Sequence, residues 1–389
     1  MSATRNSPLC GVCGAKLVKN GTTTAGRTRW RCKTCGASTT QSRPDITRKA
    51  QLNAFRAWLL DGHTPTQVAS SARTFRRDTS WCWNVEIPTP APAPTPADLV
   101  ILDGTYFQSW CLLIATDGHH VIDWQWCDRE KKIAWQQILG RHPAPTVAVI
   151  DGGTGLHAAI AEQWPTTRIQ RCYFHIFQVV RRHHTLKPRL EAGREILTLT
   201  RALMNVRGID QAVLWLSAYA AWEARWDSFL RHRTYAKTHV ARPSGVSDDQ
   251  QWWYTHRDLR KTRGLFRRLI ANNHLFTWID PELTDDDHPL QRTTSPLEGG
   301  PNKAIKDLFR THRGLPVEHA RRAAEWKLNS LTAEPRDLWD LVRPEHYTPP
   351  RTTRRDTTED EPIGPTMGTD FSWEDGNGLQ HGWAGRSRR

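Results

Sequence analysis

The chain has 389 residues, with 54 Lys and Arg against 40 Asp and Glu, which gives a formal net charge of +14. Hydrophobic residues make up 38% of it and 19 residues are Trp, which excludes a wholly disordered chain. The length predicts two to three domains. No apolar run approaches the roughly 18 residues of a membrane span, and the first residues lack the apolar core of a secretory signal, so we expect neither. The basic excess favours a polyanionic partner, most simply nucleic acid.

The positive charge is concentrated near the beginning of the chain. Residues 1–98 contain 14 Lys and Arg but only 5 Asp and Glu, a net charge of +9, whereas residues 345–389 contain 6 and 8. Phosphate contacts dominate the affinity of proteins for nucleic acids. The distribution therefore predicts that the main electrostatic contact surface lies in the first quarter of the chain.

Four of the eight cysteines form two close pairs near the N-terminus. Their spacing is C-x2-C-x18-C-x2-C, in Cys10, Cys13, Cys32 and Cys35. Four thiolates in two pairs form a tetrahedral ligand set that suits structural Zn²⁺, and a glycine after each pair lets the backbone turn toward one metal. Two disulfides are the alternative, which fits poorly without a secretory signal. We predict a zinc ribbon over residues 1–44.

The segment between the cysteine pairs is basic and contains one aromatic residue. Its sequence, KLVKNGTTTAGRTRWRC, predicts a β-hairpin with a glycine-containing loop. The candidate DNA-binding residues here are Arg27, Arg29, Trp30 and Arg31. The alternative is that these side chains only cover a solvated hairpin.

Residues 45–86 have a pattern that predicts helices. Apolar residues recur at helical spacing in Leu52, Phe55, Trp58 and Leu59. We expect that helix to end at residues 61–63, a second to start near Thr64, and a third to cover about 74–84. This pattern resembles a helix-turn-helix, with candidate DNA contacts at Arg73, Arg76 and Arg77. A plain three-helix connector remains the alternative.

A proline-rich linker, IPTPAPAPTPAD at residues 87–98, separates this region from the next. Apolar β-like runs follow at 99–103, 110–117, 120–128 and 146–151, with predicted helices at 129–140 and 155–164. A further strand at 168–175 runs into a helix. The order β-β-β-α-β-α-β-α is that of a ribonuclease H-like domain.

Two aspartates close apolar runs in this region. Asp103 ends LVILD and Asp151 ends TVAVID, so each is expected at a strand end or within a central strand. Two carboxylates on adjacent strands repel each other unless a cation neutralises them, and Mg²⁺ takes carboxylate oxygens in phosphoryl chemistry. Taken together the two residues predict a metal site. For either one alone, an ordinary turn aspartate is an equal alternative.

Three blocks of the sequence resemble the catalytic blocks of the Mutator-type DDE transposases, which include bacterial insertion-sequence members. The blocks are LVILDGTYF, AVIDGGTGLHAAIAEQWPTTRIQRCYFH and TTSPLEGGPNKAIKDLFRTHRG, so that the resemblance covers residues 99–180 and 290–330. It implies that Glu298 is the third acid, at the start of a helix whose basic residues face DNA. Those basic residues are Lys303, Lys306 and Arg310. The competing acids, Asp285, Asp286 and Asp287, lie in a polar run typical of a loop.

Cys172 and His175 form a C-x2-H pair within the second block. The resemblance implies that they support the active site, and packing beneath a strand-to-helix turn is the alternative. The family often has Asn four residues after this His, where the present chain has Val179. The contact made by that Asn is therefore in doubt here.

The resemblance implies an all-α insertion domain in the long interval between Asp151 and Glu298, at residues 181–285, between parts of the core at 99–180 and 286–344. Within it, the aromatic run at 252–254 lies among basic residues. These rings are expected either to pack in the insertion or to stack on unpaired bases, and packing is slightly favoured. Residues 345–389 are rich in Thr, Pro, Gly and charge, and we expect disorder there.

The sequence as a whole predicts a multidomain α/β protein, with a ribonuclease H-like catalytic core, an all-α insertion, and a preceding zinc ribbon and helix-turn-helix. The leading hypothesis is a DDE transposase that binds the terminal inverted repeats of its element and target DNA as double strands. Its cofactors would be Mg²⁺, with Mn²⁺ as a substitute, and structural Zn²⁺. We expect a homodimer or larger assembly on paired ends, in the cytoplasm of a prokaryote and associated with the nucleoid. A non-catalytic DNA-binding regulator and a nuclease on the same fold are the alternatives.

Overall fold

The computed structural model describes residues 8–10, 12–40, 44–92, 94–107, 109–237, 240–284 and 290–347. Two of the sequence predictions lie outside these residues: the loop containing Asp285, Asp286 and Asp287, and all of the tail after residue 347. Over the described ranges, no helix is both long enough and apolar enough to cross a membrane.

The chain is a mixed α/β protein that divides into two compact units. One combines Met1–Glu86 with Asp337–Pro350, and the other contains Ile87–Arg336. The first unit begins with a three-stranded antiparallel sheet in the order β1-β2-β3. Its strands are β1 (Leu17–Thr22), β2 (Thr28–Cys32) and β3 (Ser38–Thr39). Leu17 and two of the cysteines form a small core beneath the sheet, with Trp30 packed against it.

Three helices follow this sheet: α1 (Pro44–Leu60), α2 (Pro65–Val68) and α3 (Ala72–Thr79). Helix α1 ends at the predicted break, where Gly62 has a φ of +75°. The Ser71 hydroxyl caps α3 by accepting a hydrogen bond from the Thr74 N–H (3.1 Å). The third helix is shorter than the predicted 74–84, because the chain tightens into a 3₁₀ turn at Ser80–Asn84.

A segment from near the end of the chain completes this unit. The ring of Tyr347 packs edge-on against Trp81 (4.8 Å between centroids), and the Arg48 guanidinium lies 3.4 Å from the centre of the same ring. The Asn84 side-chain amide donates a hydrogen bond to the His346 carbonyl (2.8 Å). Residues 337–344, which the sequence interpretation placed in the catalytic core, belong to this same compact unit, and the Lys49 ammonium lies 5.7 Å from the centre of the Trp339 ring. These contacts join distant parts of the sequence and leave no local pattern.

The second unit is built on a five-stranded mixed sheet in the order β6-β5-β4-β7-β8. The strands are β4 (Leu99–Phe107), β5 (Trp110–Thr116), β6 (Val121–Cys127), β7 (Val147–Ile150) and β8 (Arg168–Arg171). The first three are antiparallel neighbours, whereas β7 and β8 run parallel to β4. Strand β7 is buried at every position, which is why its sequence reads as a continuous apolar run.

Helices cover this sheet and carry its connections. Helices α4 (Lys132–Leu139) and α5 (Thr154–Gln163) pack on one face around Val100, Leu102 and Ile150. Helix α6 (Tyr173–His184) follows β8. Later in the chain, α10 (Ser295–Leu297) contacts β4, α11 (Lys303–Thr311) follows it, and α12 (Val317–Asn329) contacts β6. Because side chains alternate along a strand, Asp103 points away from the face that buries Leu102.

The insertion between α6 and α10 is helical except for a short β-ribbon. Its helices are α7 (Glu191–Leu203), α8 (Ile209–Leu230) and α9 (Arg257–Ala271), and its strands are β9 (Arg233–Tyr235) and β10 (Trp252–Tyr254). The all-α prediction is therefore wrong in this detail, because the β-branched and aromatic residues of the two strands favour extended pairing.

The aromatic run of β10 is engaged within the insertion. Trp253 is buried, and guanidinium groups lie over the other two rings, Arg233 over Trp252 (3.9 Å) and Arg260 over Tyr254 (3.4 Å). These contacts favour the packing interpretation over stacking on bases.

Replacing Tyr347 with Ala should destabilise the N-terminal unit by about 1–2 kcal/mol, because an aromatic contact and a cation–π contact are lost together. Denaturant unfolding followed by tryptophan fluorescence measures the change. Tyr235→Ala, at an exposed position, is the control and should shift the transition little. Equal effects of the two substitutions would contradict the role given to Tyr347.

Candidate functional site

The two aspartates predicted at a strand end or within a central strand lie side by side. Asp103 is in the middle of β4, and Asp151 directly follows β7. In the parallel pairing of β4 and β7, Leu102 is opposite Ile150, so that the next residues, Asp103 and Asp151, are neighbours. Both are nearly buried, with 9% and 8% of their surface exposed. The Asp151 carboxylate accepts a hydrogen bond from the Gly153 N–H (2.9 Å), in the turn that leads into α5.

The electrostatics of Asp103 reflect these neighbours. Burial and the charges of Asp151 and Glu298 raise the pKa of the Asp103 carboxyl to about 7, although His175 and Lys306 act in the opposite direction. The Asn302 side-chain amide donates a hydrogen bond to the Asp103 carboxylate (3.0 Å). Asp103 is therefore held in place by an amide but surrounded by negative charge, an environment that favours a bound cation.

Glu298 enters this group from the segment after the insertion. It begins a π-helical turn, Glu298–Asn302, that contains Pro301 and links α10 to α11. Proline has no N–H to continue an α-helical ladder, which accounts for the widened turn. The turn carries Glu298 at its first position and Asn302, the partner of Asp103, at its last.

The C-x2-H pair reaches Glu298 through Thr294. The Thr294 N–H donates to the Cys172 sulfur (3.2 Å), and the Thr294 hydroxyl donates to the Glu298 carboxylate (2.7 Å). His175 Nδ1 lies 3.8 Å from the same carboxylate. Burial lowers the pKa of His175, but the hydrogen bond to Cys172 and nearby negative charges outweigh it and raise that pKa to about 10. The pair thus lies beside Glu298, which Thr294 links to Cys172.

Glu130 is a fourth acid that the sequence interpretation missed. Burial and the charges of Asp151 and Asp103 raise its pKa well above the usual range, and the Trp135 indole N–H donates to its carboxylate (3.1 Å). A Cβ on Gly104 would lie 2.9 Å from that carboxylate, so the glycine leaves room for it. Glu130 lies in the polar run DREKK, which reads as an ordinary helix start and gives no signal of burial.

The basic residues predicted near the third acid lie on exposed positions of α11. These are Lys303, Lys306 and Arg310, the last of which forms an ion pair with Asp307 (2.6 Å). The charge of Lys306 lowers the pKa of Asp103, so this helix brings positive charge to the acids.

Comparison with known protein families identifies this region. Residues 100–179 match the family model of the MULE transposase domain, a Mutator-like element domain. The chain contains a Mutator-type transposase domain. The match includes Asp103, Glu130, Asp151 and the C-x2-H pair, but ends before Glu298. No curated protein matches the chain.

Outside the transposase domain, the four N-terminal cysteines come together as predicted. The sulfurs of Cys10, Cys13, Cys32 and Cys35 all lie within 4.8 Å of one another, at a distance suited to one metal ion. Over the described ranges, this is the one group of three or more metal-ligating side chains that is so close. The acids of the transposase domain are neighbours but do not converge to that distance.

The pKa of each cysteine thiol in this cluster depends on the other cysteines. Hydrogen bonding, chiefly from the Cys35 N–H, lowers the pKa of Cys32 to about 6. A hydrogen bond from the Ala37 N–H lowers the pKa of Cys35, but contact with the other sulfurs and desolvation outweigh it and raise that pKa to about 12. Four thiolates cannot be charged together at this distance without a cation. The donor set therefore fits structural Zn²⁺.

The predicted DNA-binding residues of the N-terminal unit divide into exposed and packed ones. Arg27, Arg29 and Arg31 are exposed on the hairpin, whereas Trp30 packs against the cysteine core. On α3, the exposed residues are Arg73, Arg76 and Arg77, and Arg77 forms an ion pair with Asp78 (2.8 Å). The arginines are thus accessible, and Trp30 has a structural role.

Cys32→Ser should abolish binding of one zinc ion per chain, because it removes one of four ligands around a single position. Elemental analysis of the purified full-length protein measures zinc content. Cys127→Ser, which changes a cysteine outside the cluster, is the matched control and should retain the metal. Zinc retained at full occupancy by the Cys32 variant would contradict the assignment.

Asp103→Asn should stabilise the metal-free protein at neutral pH by roughly 1–4 kcal/mol, because a carboxyl with a raised pKa is costly to ionise in the folded state. That cost grows as pH rises from about 4, where the unfolded carboxyl ionises, to about 7. The difference in unfolding free energy between variant and wild type should therefore increase over this range.

The exposed Asp248→Asn is the control for this measurement and should show no such trend. A pH-independent difference for Asp103→Asn would refute the electrostatic account of the site. Added Mg²⁺ should stabilise the wild type and have less effect on the Asp103 variant, since a ligand that binds only the folded state raises its stability.

Proposed function

We propose that the chain is a DDE transposase that binds the ends of its DNA element and catalyses metal-dependent DNA cleavage and strand transfer. The observation that carries this proposal is that Asp103, within β4, and Asp151, directly after β7, are neighbours on adjacent strands of a Mutator-type transposase domain. Glu298, whose charge contributes to the raised pKa of Asp103, is proposed as the third acid.

The proposed fold of the catalytic core is ribonuclease H-like. Three antiparallel strands are followed by two parallel ones, with the first strand at the centre of the sheet. Helices follow the third, fourth and fifth strands in chain order. This arrangement supports the assignment, which places the candidate acids on or just after the central strands.

The residues of the site have distinct proposed roles. Asp103, Asp151 and Glu298 would hold Mg²⁺ or Mn²⁺, because several carboxylates close together offer both oxygen donors and concentrated negative charge. When bound, the metal supplies Lewis-acid stabilisation of the phosphoryl centre and activation of a water or a DNA 3′-hydroxyl. Asn302 orients the Asp103 carboxylate, and Thr294 holds the Glu298 carboxylate.

Cys172 and His175 are proposed as positioning residues. They contact Thr294 and lie beside Glu298 without closing a metal site of their own in the described part of the chain. Lys303, Lys306 and Arg310 are proposed to contact DNA phosphates beside the acids, because they lie on exposed positions of the helix that follows Glu298.

The N-terminal unit is proposed as the DNA-recognition module. Its cysteine cluster and basic hairpin fit a zinc ribbon, and its three helices fit a helix-turn-helix with α3 as the recognition helix. The proposed partner is the double-stranded terminal inverted repeat of the element, together with target DNA. We also propose a bacterial insertion-sequence origin, assembly as a dimer or larger on paired ends, and a nucleoid-associated location.

A DNA-binding regulator and a nuclease are the two alternative functions for a protein of this fold. A non-catalytic regulator would bind DNA without cutting it, but clustered carboxylates near DNA weaken binding, so their presence favours catalysis. A nuclease would cut without joining. The basic N-terminal unit with its own metal-binding cysteines favours an enzyme that recognises specific ends.

Asp103→Asn, Asp151→Asn and Glu298→Gln should each reduce strand transfer by at least about 10³-fold while leaving end binding intact, because each substitution removes a proposed metal ligand. Glu318→Gln, at an exposed carboxylate on α12, is the matched control and should retain activity. Full activity in any of the three variants would remove that residue from the assignment.

One assay separates the three functions. The full-length protein is incubated with DNA that carries the genomic sequences on either side of the gene, a target plasmid and Mg²⁺ or Mn²⁺. Joined products support a transposase. Cleavage without joining supports a nuclease, and end binding without either supports a regulator.

A further inference from the structure

A basic groove of about 530 Å³ opens beside Asp151, at a position that the proposed mechanism does not use. One wall comes from the transposase domain and includes Gly152, His157 and Arg171. The other wall comes from α9 of the insertion and includes Lys261 and Arg268.

The charge of this groove has one sign. Arg171, Arg260, Lys261 and Arg268 line it, and none of its lining residues, all of which belong to the described part of the chain, is an Asp or Glu. Arg268 is exposed and forms no ion pair with the residues that the structure describes. Lys261 lies 3.7 Å from Asp258 at an exposed position, an ion pair that contributes little. The accessible charge is therefore available to an anionic ligand.

Arg171 links the groove to the candidate active site. Its guanidinium donates a hydrogen bond to the Asp151 carbonyl (2.7 Å), while its Nε is buried and has no hydrogen-bond partner over the described ranges. Gly152 has a φ of +109°, and a Cβ there would lie 1.7 Å from the guanidinium. The backbone at Gly152 thus makes room for this cation directly beside the acid.

Two histidines complete the wall near Arg171. The rings of His157 and His274 are 5.5 Å apart. Burial, together with the charges of His157 and Arg171, lowers the pKa of His274 to about 4, and burial also lowers that of His157. The imidazoles are neutral at physiological pH, so the fixed charge of the groove comes from its arginines and lysine.

The position of the groove indicates what it binds. Strand β8, which ends at Arg171, lies beyond β7 and Asp151, whereas β4 and Asp103 lie on the other side of β7. The basic residue Lys306 acts on Asp103, so positive charge flanks the acids on both sides. In-line attack on a phosphodiester requires the DNA strand to be held on both sides of the reacting phosphate.

We propose that this groove binds the sugar-phosphate backbone of the DNA strand whose reacting phosphate lies at the acids, on the Asp151 side. The inference rests on the proposed function and deepens it, since it assigns the insertion a direct contact with DNA through Lys261 and Arg268. Arg171 is the positioning residue that joins this contact to the Asp151 turn.

The test is the salt dependence of DNA binding by the full-length protein, measured by fluorescence anisotropy on a duplex, in a buffer without added divalent metal or chelator. The plot of log affinity against log salt concentration has a negative slope. Lys261→Ala combined with Arg268→Ala should make this slope less steep by about 1.8, since each lost phosphate contact contributes about 0.9. Lys261→Arg combined with Arg268→Lys should restore the slope, because the charges return.

Lys187→Ala combined with Arg201→Ala is the matched control. It removes one lysine and one arginine from exposed positions of the insertion that do not line the groove, and it should leave the slope unchanged. An unchanged slope in the groove variant, or an equal loss in the control, would overturn the proposal. The measurement needs no catalysis, so a protein that fails to cut or join DNA still tests the groove.

Discussion

Negative charge concentrated on two central strands, within β4 and directly after β7, is the constraint on which the rest of the structure depends. Asp103 and Asp151 are fixed as neighbours by the register of a parallel pair, and both are nearly buried. Glu130 and Glu298 add charge from two other segments. Such a cluster is costly in a folded chain unless cations, amides and hydroxyls compensate it. Asn302, Thr294 and the neighbouring basic residues supply that compensation.

Part of this arrangement is predictable from sequence. Asp103 and Asp151 are recognisable because each closes an apolar run, and the four cysteines because their spacing alone defines a ligand set. Glu298 is indicated as a third acid only by the resemblance, since its surroundings have no apolar pattern. Glu130 could not be found, because its burial depends on Gly104 leaving space across the sheet. The packing of Tyr347 on Trp81 was equally inaccessible, since no local periodicity encodes a contact between distant segments.

The chain segments before and after the insertion are joined by hydrogen bonds between residues that are far apart in the sequence. Cys172 and Thr294 are 122 residues apart, yet the Thr294 N–H donates to the Cys172 sulfur. This contact brings the segment after the insertion back to the end of β8, where the charge of Glu298 acts on Asp103. The insertion can therefore vary in length without displacing Glu298, provided that this junction is kept.

The packing of residues 337–347 with the N-terminal helices has a consequence for synthesis. A chain that emerges from the ribosome in order presents residues 44–84 long before Tyr347 exists, and domains generally fold as they emerge. Tyr347 cannot cover Arg48 and Trp81 until residues 87–336 have been made. The N-terminal unit is thus completed only after translation has passed residue 347. A chain that is truncated before this residue lacks the contacts of Tyr347.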